Sequence, residues 1–164
     1  MRAFSALEFS AVFAVGGSLL AVAVPAFFRN LSASKLSEPI DGLDRMVTSA
    51  VAYAAHHPQE ISFPPSAPLT PAEVPRGVRV LDPRDAWLHL TWLSLDFRFD
   101  QPHAFSFKFD SELDPVTHVM RFTATAHGDL DGDGVVSTFE VRGERVPGHP
   151  ARVLPGMFID REVE

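Results

Sequence analysis

The feature that most constrains this chain is a run of twenty residues without a charge, Phe9 to Phe28, bounded by Glu8 before it and Arg29 after it. At ~1.5 Å of rise per residue a helix of that length is roughly 30 Å long, the thickness of a bilayer core. The run therefore predicts a membrane-spanning helix. Three readings fit it: a cleaved secretory signal peptide, an ordinary signal anchor, and a specialised N-terminal helix with a reason to keep Glu8. An acidic residue in place of a basic n-region, and the length of the apolar run, weigh against the first, although Ala21-Val22-Ala23 has the form of a cleavage site. A carboxylate at the edge of such a run costs a few kcal/mol or calls for a partner.

Beyond the run, Leu36, Ile40, Leu43, Val47, Ala50 and Ala54 recur at spacings of four and three, one stripe of an amphipathic helix over residues 29–57. Its other face carries Lys35, Glu38, Asp44 and Arg45, so this half is expected on a protein core and not in lipid. Pro39 and Gly42 predict a kink or short break near its start. If largely continuous, a helix from Phe4 to His57 would be about 80 Å long.

Six prolines between Pro58 and Pro75 exclude a helix or a central strand, and Ile61, Phe63, Leu69 and Val74 make the stretch too apolar for a free linker. An ordered loop over residues 58–86 that wraps a core is expected. From residue 87 to 164 the pattern changes to period two. Leu95, Phe97 and Phe99 alternate with charged residues, as do Phe105, Phe107 and Phe109 with polar ones, which predicts a hairpin turning at Gln101–Ala104. Met120 to Ala126 reads as a third strand and Ser137 to Arg142 as a short fourth. The expected fold class is α+β: a long N-terminal helix, half membrane and half amphipathic, packed on an antiparallel meander of about four strands.

Residues Asp129 to Glu140 place Asp129, Asp131 and Asp133 at positions one, three and five of a twelve-residue loop, with Gly134 at six, Ser137 at nine and Glu140 at twelve. That is the spacing of an EF-hand calcium loop, in which alternate side chains converge on one ion, the Val135 carbonyl fills position seven and the final glutamate closes the site. The flanking residues read as strand and not helix, so a structural calcium clip is expected rather than a sensor. With no cysteine in the chain, no disulfide can serve instead.

The remaining composition narrows the function classes. A chain of 164 residues has room for one modest core, and a net charge of -7 with only two lysines offers no field for a phosphate backbone, so no nucleic-acid binding is indicated. No hydrolase, phosphate-loop or dinucleotide motif is present, and an enzyme is not expected. The seven histidines show no ligand spacing and are expected on surfaces or in loops. Trp87 and Trp92 are expected in core or sheet-edge packing.

The N-terminus, Arg2-Ala3 followed by Phe4-Ser5-Ala6-Leu7-Glu8-Phe9 and the apolar run, resembles type IV pilins and the pseudopilins of type II secretion. In that family a short basic leader precedes a cleavage site, a Phe and a Glu at the fifth mature position, which fall here on residues 1–3, Ala3, Phe4 and Glu8. Gly17 and Pro25 stand where the family places the glycine and proline that bound a deformable helix segment in residues 4–28. The calcium loop is similar to one carried by some members. The residue before the cut is Ala3 where the family usually has Gly, and the leader is only three residues long. The resemblance implies processing and methylation by the prepilin peptidase, and anchoring in the bacterial inner membrane with a periplasmic head. It also implies engagement by an inner-membrane assembly platform and polymerisation with copies of itself or related pilins into a cell-surface pilus or a periplasmic pseudopilus. Glu8 would then pair with the N-terminal amine of a neighbouring subunit. The alternative is a signal-anchored periplasmic calcium-binding module that does not polymerise.

Overall fold

The computed structural model describes Ser18, Ala21 and residues 36–161. The chain divides into two compact units, Met1–Leu36 and Ser37–Glu164. Of the first, Ser18 and Ala21 are helical and exposed, while Ala3, Phe4, Glu8, Gly17 and Pro25 lie outside the described residues. Among the described residues no helix is long and apolar enough to cross a membrane.

The second unit is built on a six-stranded antiparallel sheet. Its strands are β1 (Ala67–Thr70), β2 (Phe105–Leu113), β3 (Met120–Gly128), β4 (Ser137–Arg145), β5 (Arg152–Val153) and β6 (Phe158–Asp160). They run in the order β1-β2-β3-β4-β5, with β6 also paired to β4. Period-two alternation sends Phe105, Phe107 and Phe109 of β2, Phe122 of β3 and Phe139 of β4 to one face, where all five rings are buried. Register brings them into contact: Phe109 and Phe122 stack with centroids 5.5 Å apart, and Phe105 meets Phe139 edge to face at 5.9 Å.

Helix α1, described over residues 36–55, presents Leu43, Met46, Val47, Ala50 and Ala54 as its buried stripe. Pro39 and Gly42 do not break it. A Cβ on Gly42 would stand 2.5 Å from the Phe107 ring, so the glycine is what lets this face of the helix approach β2. The stripe is turned by about one position at its start. Pro39 and Gly42 are buried there and Ile40 is 43% exposed. Glu38 reaches across to accept hydrogen bonds from the backbone N–H groups of Ala104 (2.7 Å) and Phe105 (3.1 Å). At the other end Arg145 donates to the carbonyls of Ala54 and His57, both at 2.8 Å.

The architecture corrects the expected fold class. In place of a long helix on about four strands, the described residues hold mostly six-stranded antiparallel sheet, with one substantial helix over residues 36–55 and a five-residue helix α2 (Leu90–Ser94). The expected strand from Leu95 to Phe99 is absent because β2 spends its free edge on β1 instead. The chain there leaves α2 through helix-type bonds, Leu95 N–H to the Thr91 carbonyl and Phe97 N–H to the Trp92 carbonyl, and Asp96 takes a left-handed φ of 48°. The alternation nonetheless has a use: Phe97 and Phe99 both pack on Phe107, and the Arg45 guanidinium lies over both rings. Pro68 sits within β1, an edge position where its missing N–H costs no ladder bond.

Candidate metal centre

The centre is the turn between β3 and β4. The two strands close on each other at the pair Gly128–Ser137, leaving residues 129–136 to bridge them. Within that turn each aspartate folds the backbone around itself. Asp129 Oδ1 accepts from Gly132 N–H (2.7 Å) and its Oδ2 from Gly134 N–H (3.0 Å). Asp131 Oδ1 accepts from Asp133 N–H (3.1 Å), and Asp133 Oδ1 from Val135 N–H (2.7 Å). Gly132 and Gly134 take φ of 82° and 92°, left-handed values that a Cβ would strain, which is why alternate aspartates can face inward over so short a path.

The outcome is three carboxylates, from Asp129, Asp131 and Asp133, each offering an oxygen within 4.8 Å of the others. Asp129 is 2% exposed and the other two are open to solvent. Two unit charges at that separation repel by about 1 to 4 kcal/mol between bulk-water and protein-surface screening, so a bound cation relieves a real cost. This cluster can hold a metal ion.

The other expected ligands are placed differently. The Ser137 hydroxyl is fully buried and donates to the Gly128 carbonyl at 3.0 Å, sealing the mouth of the turn. Glu140 lies on β4 opposite Thr125, three residues beyond Ser137, and its carboxylate pairs with Arg142. In a helix those three residues would advance about 4.5 Å, whereas in a strand they advance about 10 Å, which separates Glu140 from the aspartates. Val135 contributes its N–H to Asp133.

Two features of this region have no signature in sequence spacing. The turn is fastened to a distant loop: Gly77 N–H donates to the Asp129 carbonyl at 2.7 Å, Arg76 and Asp129 form a parallel bridge, and a Cβ on Gly77 (φ 63°) would meet the Asp131 carbonyl at 3.4 Å. Close by, His127 of β3 bonds the Thr138 hydroxyl at 3.0 Å. Burial pushes the imidazole pKa below its ordinary value, opposed by a hydrogen bond that the ring donates to the Ser137 backbone carbonyl; Lys108 also lowers it and Glu140 raises it.

Elsewhere His103 lies in the segment between α2 and β2 and is buried there. It is 1% exposed, with Nδ1 2.8 Å from the Phe105 carbonyl and Nε2 2.9 Å from Asp82, so both ring nitrogens are engaged by neighbouring groups. Trp87 and Trp92 are core residues, in contact edge to face at 5.5 Å. No protein-family profile, curated protein or solved structure matches this chain.

Proposed function

We propose that this chain is a pilin-like structural subunit, cut between Ala3 and Phe4, anchored by residues 4–28 and assembled into a pilus or pseudopilus, with its C-terminal unit as the displayed head. The observation that carries the reading is Glu8 at the border of twenty uncharged residues. A carboxylate entering an apolar bundle is tolerated when an opposite charge meets it, and cleavage before Phe4 creates such a charge, the new amine, on every neighbouring subunit. The work of such a chain is assembly and not turnover. The dominance of phenylalanine packing and ladder bonds in the head suits a rigid displayed body.

In this reading the ion at Asp129, Asp131 and Asp133 is calcium. The donors are all hard oxygens, and calcium takes six to eight of them in flexible geometry, so the Val135 carbonyl and water complete the shell. Outside the cytoplasm, where calcium is millimolar, even a weak site is filled. The ion would brace the β3–β4 turn, which the Gly77 N–H fastens to a distant loop through the Asp129 carbonyl, in a chain without disulfides.

Glu8→Ala tests the filament reading. The variant is expected in the membrane at wild-type abundance but missing from sheared surface filaments. Filaments of undiminished yield would favour the anchored, non-polymerising calcium module.

A further inference from the structure

We propose that the polar face of the sheet binds a short neutral oligosaccharide, seated between Asp110 on β2 and Phe158 on β6. The inference stands on the C-terminal unit and does not depend on the filament reading. Strand register sets the residues of that face in rows: Lys108, Thr125, Glu140 and Phe158 form one, and Asp110, Thr123 and Arg142 the next. Cross-strand partners project to the same side, so all seven stand opposite the buried phenylalanines of β2, β3 and β4. A groove of about 570 Å³ runs past Asp110, Thr123, Glu140 and Arg142. That volume is within the roughly 300 to 1,000 Å³ of small-molecule sites. An adjoining hollow shares Glu140, Arg142 and Leu154 with it and ends at Phe158. From β2 across β3 and β4 to β6 is ~14 Å, a span of a few linked pyranose rings.

The charges of the groove argue for a ligand without one. Asp110 pairs with Lys108 at 2.7 Å and Glu140 with Arg142, while at the far end Arg121 lies between Glu112, its register partner, and Asp114, 3.5 Å away. The central charges cancel in pairs, and an ionic ligand would have to break one of them. What each pair presents is a carboxylate acceptor and a cationic donor side by side. A hydroxyl is at once donor and acceptor, so it bonds both members of a pair without separating them, and successive hydroxyls of a sugar ring repeat that need. Arg142 suits the role: it donates to Glu140 through its Nε–H, which leaves the outer N–H groups of a side chain 67% accessible. Thr123, between Asp110 and Arg142 in its row, adds a hydroxyl to the floor. The other surface of a pyranose is C–H. Phe158, 59% accessible and opposite Glu140 in the register, offers that surface an aromatic ring, with Leu154 lining the same hollow.

Saturation-transfer NMR titrations test this on the full-length chain, held in a zwitterionic detergent whose head group is not a sugar. The probes are lactose, cellotriose, maltotriose, mannotriose and triacetylchitotriose, with sialyllactose as the acidic counterpart of lactose. At least one neutral probe is expected to bind with a Kd of about 1 mM or tighter, with saturation strongest at its ring C–H protons. Phe158→Ala and Arg142→Gln, both at exposed side chains, should each weaken that binding at least tenfold with the thermal midpoint unchanged. Leu90→Ala, outside the groove, should leave it as in the wild type. No neutral probe reaching that affinity overturns the proposal, as does binding that both groove variants leave intact. Binding confined to sialyllactose and abolished by added salt would make the groove an ion site and overturn it as well.

Discussion

Asp129 and Asp131 share a cluster but differ in what they hold. Asp129 is buried and accepts two backbone N–H groups, so removing its carboxylate orphans both donors whether or not an ion is present, at about 1 to 3 kcal/mol. Asp131 is exposed and accepts a single solvent-exposed N–H, from Asp133, so in the proposed calcium site its main part would be as a ligand to the ion. Asp131→Ala is therefore expected to lower the thermal midpoint of the full chain in calcium and to match the wild type in chelator, whereas Asp129→Ala loses stability in both. At a hundredfold excess of calcium over Kd the part lost with the ion is about 2 to 3 kcal/mol. Glu140→Gln, which breaks a pair with Arg142 on β4, should leave calcium affinity within a few-fold of wild type by titration calorimetry. A tenfold loss would place Glu140 back in the coordination shell.

A second residue gives a pH signature. Asp114, in the β2–β3 turn, accepts hydrogen bonds from the backbone N–H groups of Thr117 and Val116, which hold its pKa at about 2 against an ordinary 3.8. Because the folded value is the lower one, its contribution is complete above the ordinary value and is lost as pH falls through about 2. Urea midpoints of wild type and Asp114→Asn should differ by a constant amount from pH 7 to 5 and converge as the pH falls below 4. A gap that stays constant down to pH 3 would contradict this origin.

At the scale of elements, the α1–β2 contact turns on one missing side chain. By helix propensity Gly42→Ala ought to stabilise an interior helical position by about 1 kcal/mol. The added Cβ would instead fall 2.5 Å from a fully buried Phe107 ring, and overpacking of this kind costs about 1 to 3 kcal/mol. Chemical denaturation should show net destabilisation; a gain would mean that α1 does not sit this tightly on the sheet. The same contrast explains what sequence pattern conveys and what it hides. The period-two phenylalanines of β2, and the alternation around Phe122 in β3, were legible because one face of each strand is buried and the other less so. The alternation at Leu95–Phe99 is equally regular, yet those rings are buried by packing on Phe107 without any partner strand, and periodicity does not distinguish the two. β5 and β6 carry two and three residues and no buried face, so they leave no pattern to read. At the metal centre the aspartates were legible because the Asp-x-Asp-x-Asp-Gly turn is local. The position of Glu140 was not, since it depends on whether helix or strand follows the turn, and the link to Gly77 is a tertiary contact across fifty residues.

For the whole molecule, the C-terminal unit offers a buried aromatic core and one acidic turn suited to a cation. In the filament reading proposed above, this unit is the part of the subunit put on display. The most direct measurement is the intact mass and N-terminal sequence of the protein recovered separately from sheared surface filaments and from inner membranes, in cells with and without the prepilin peptidase. A subunit beginning at Phe4, carrying one methyl group, present in the sheared fraction and dependent on the peptidase, is the predicted result. A chain that keeps Met1 to Ala3 in both strains and never leaves the membrane would contradict it.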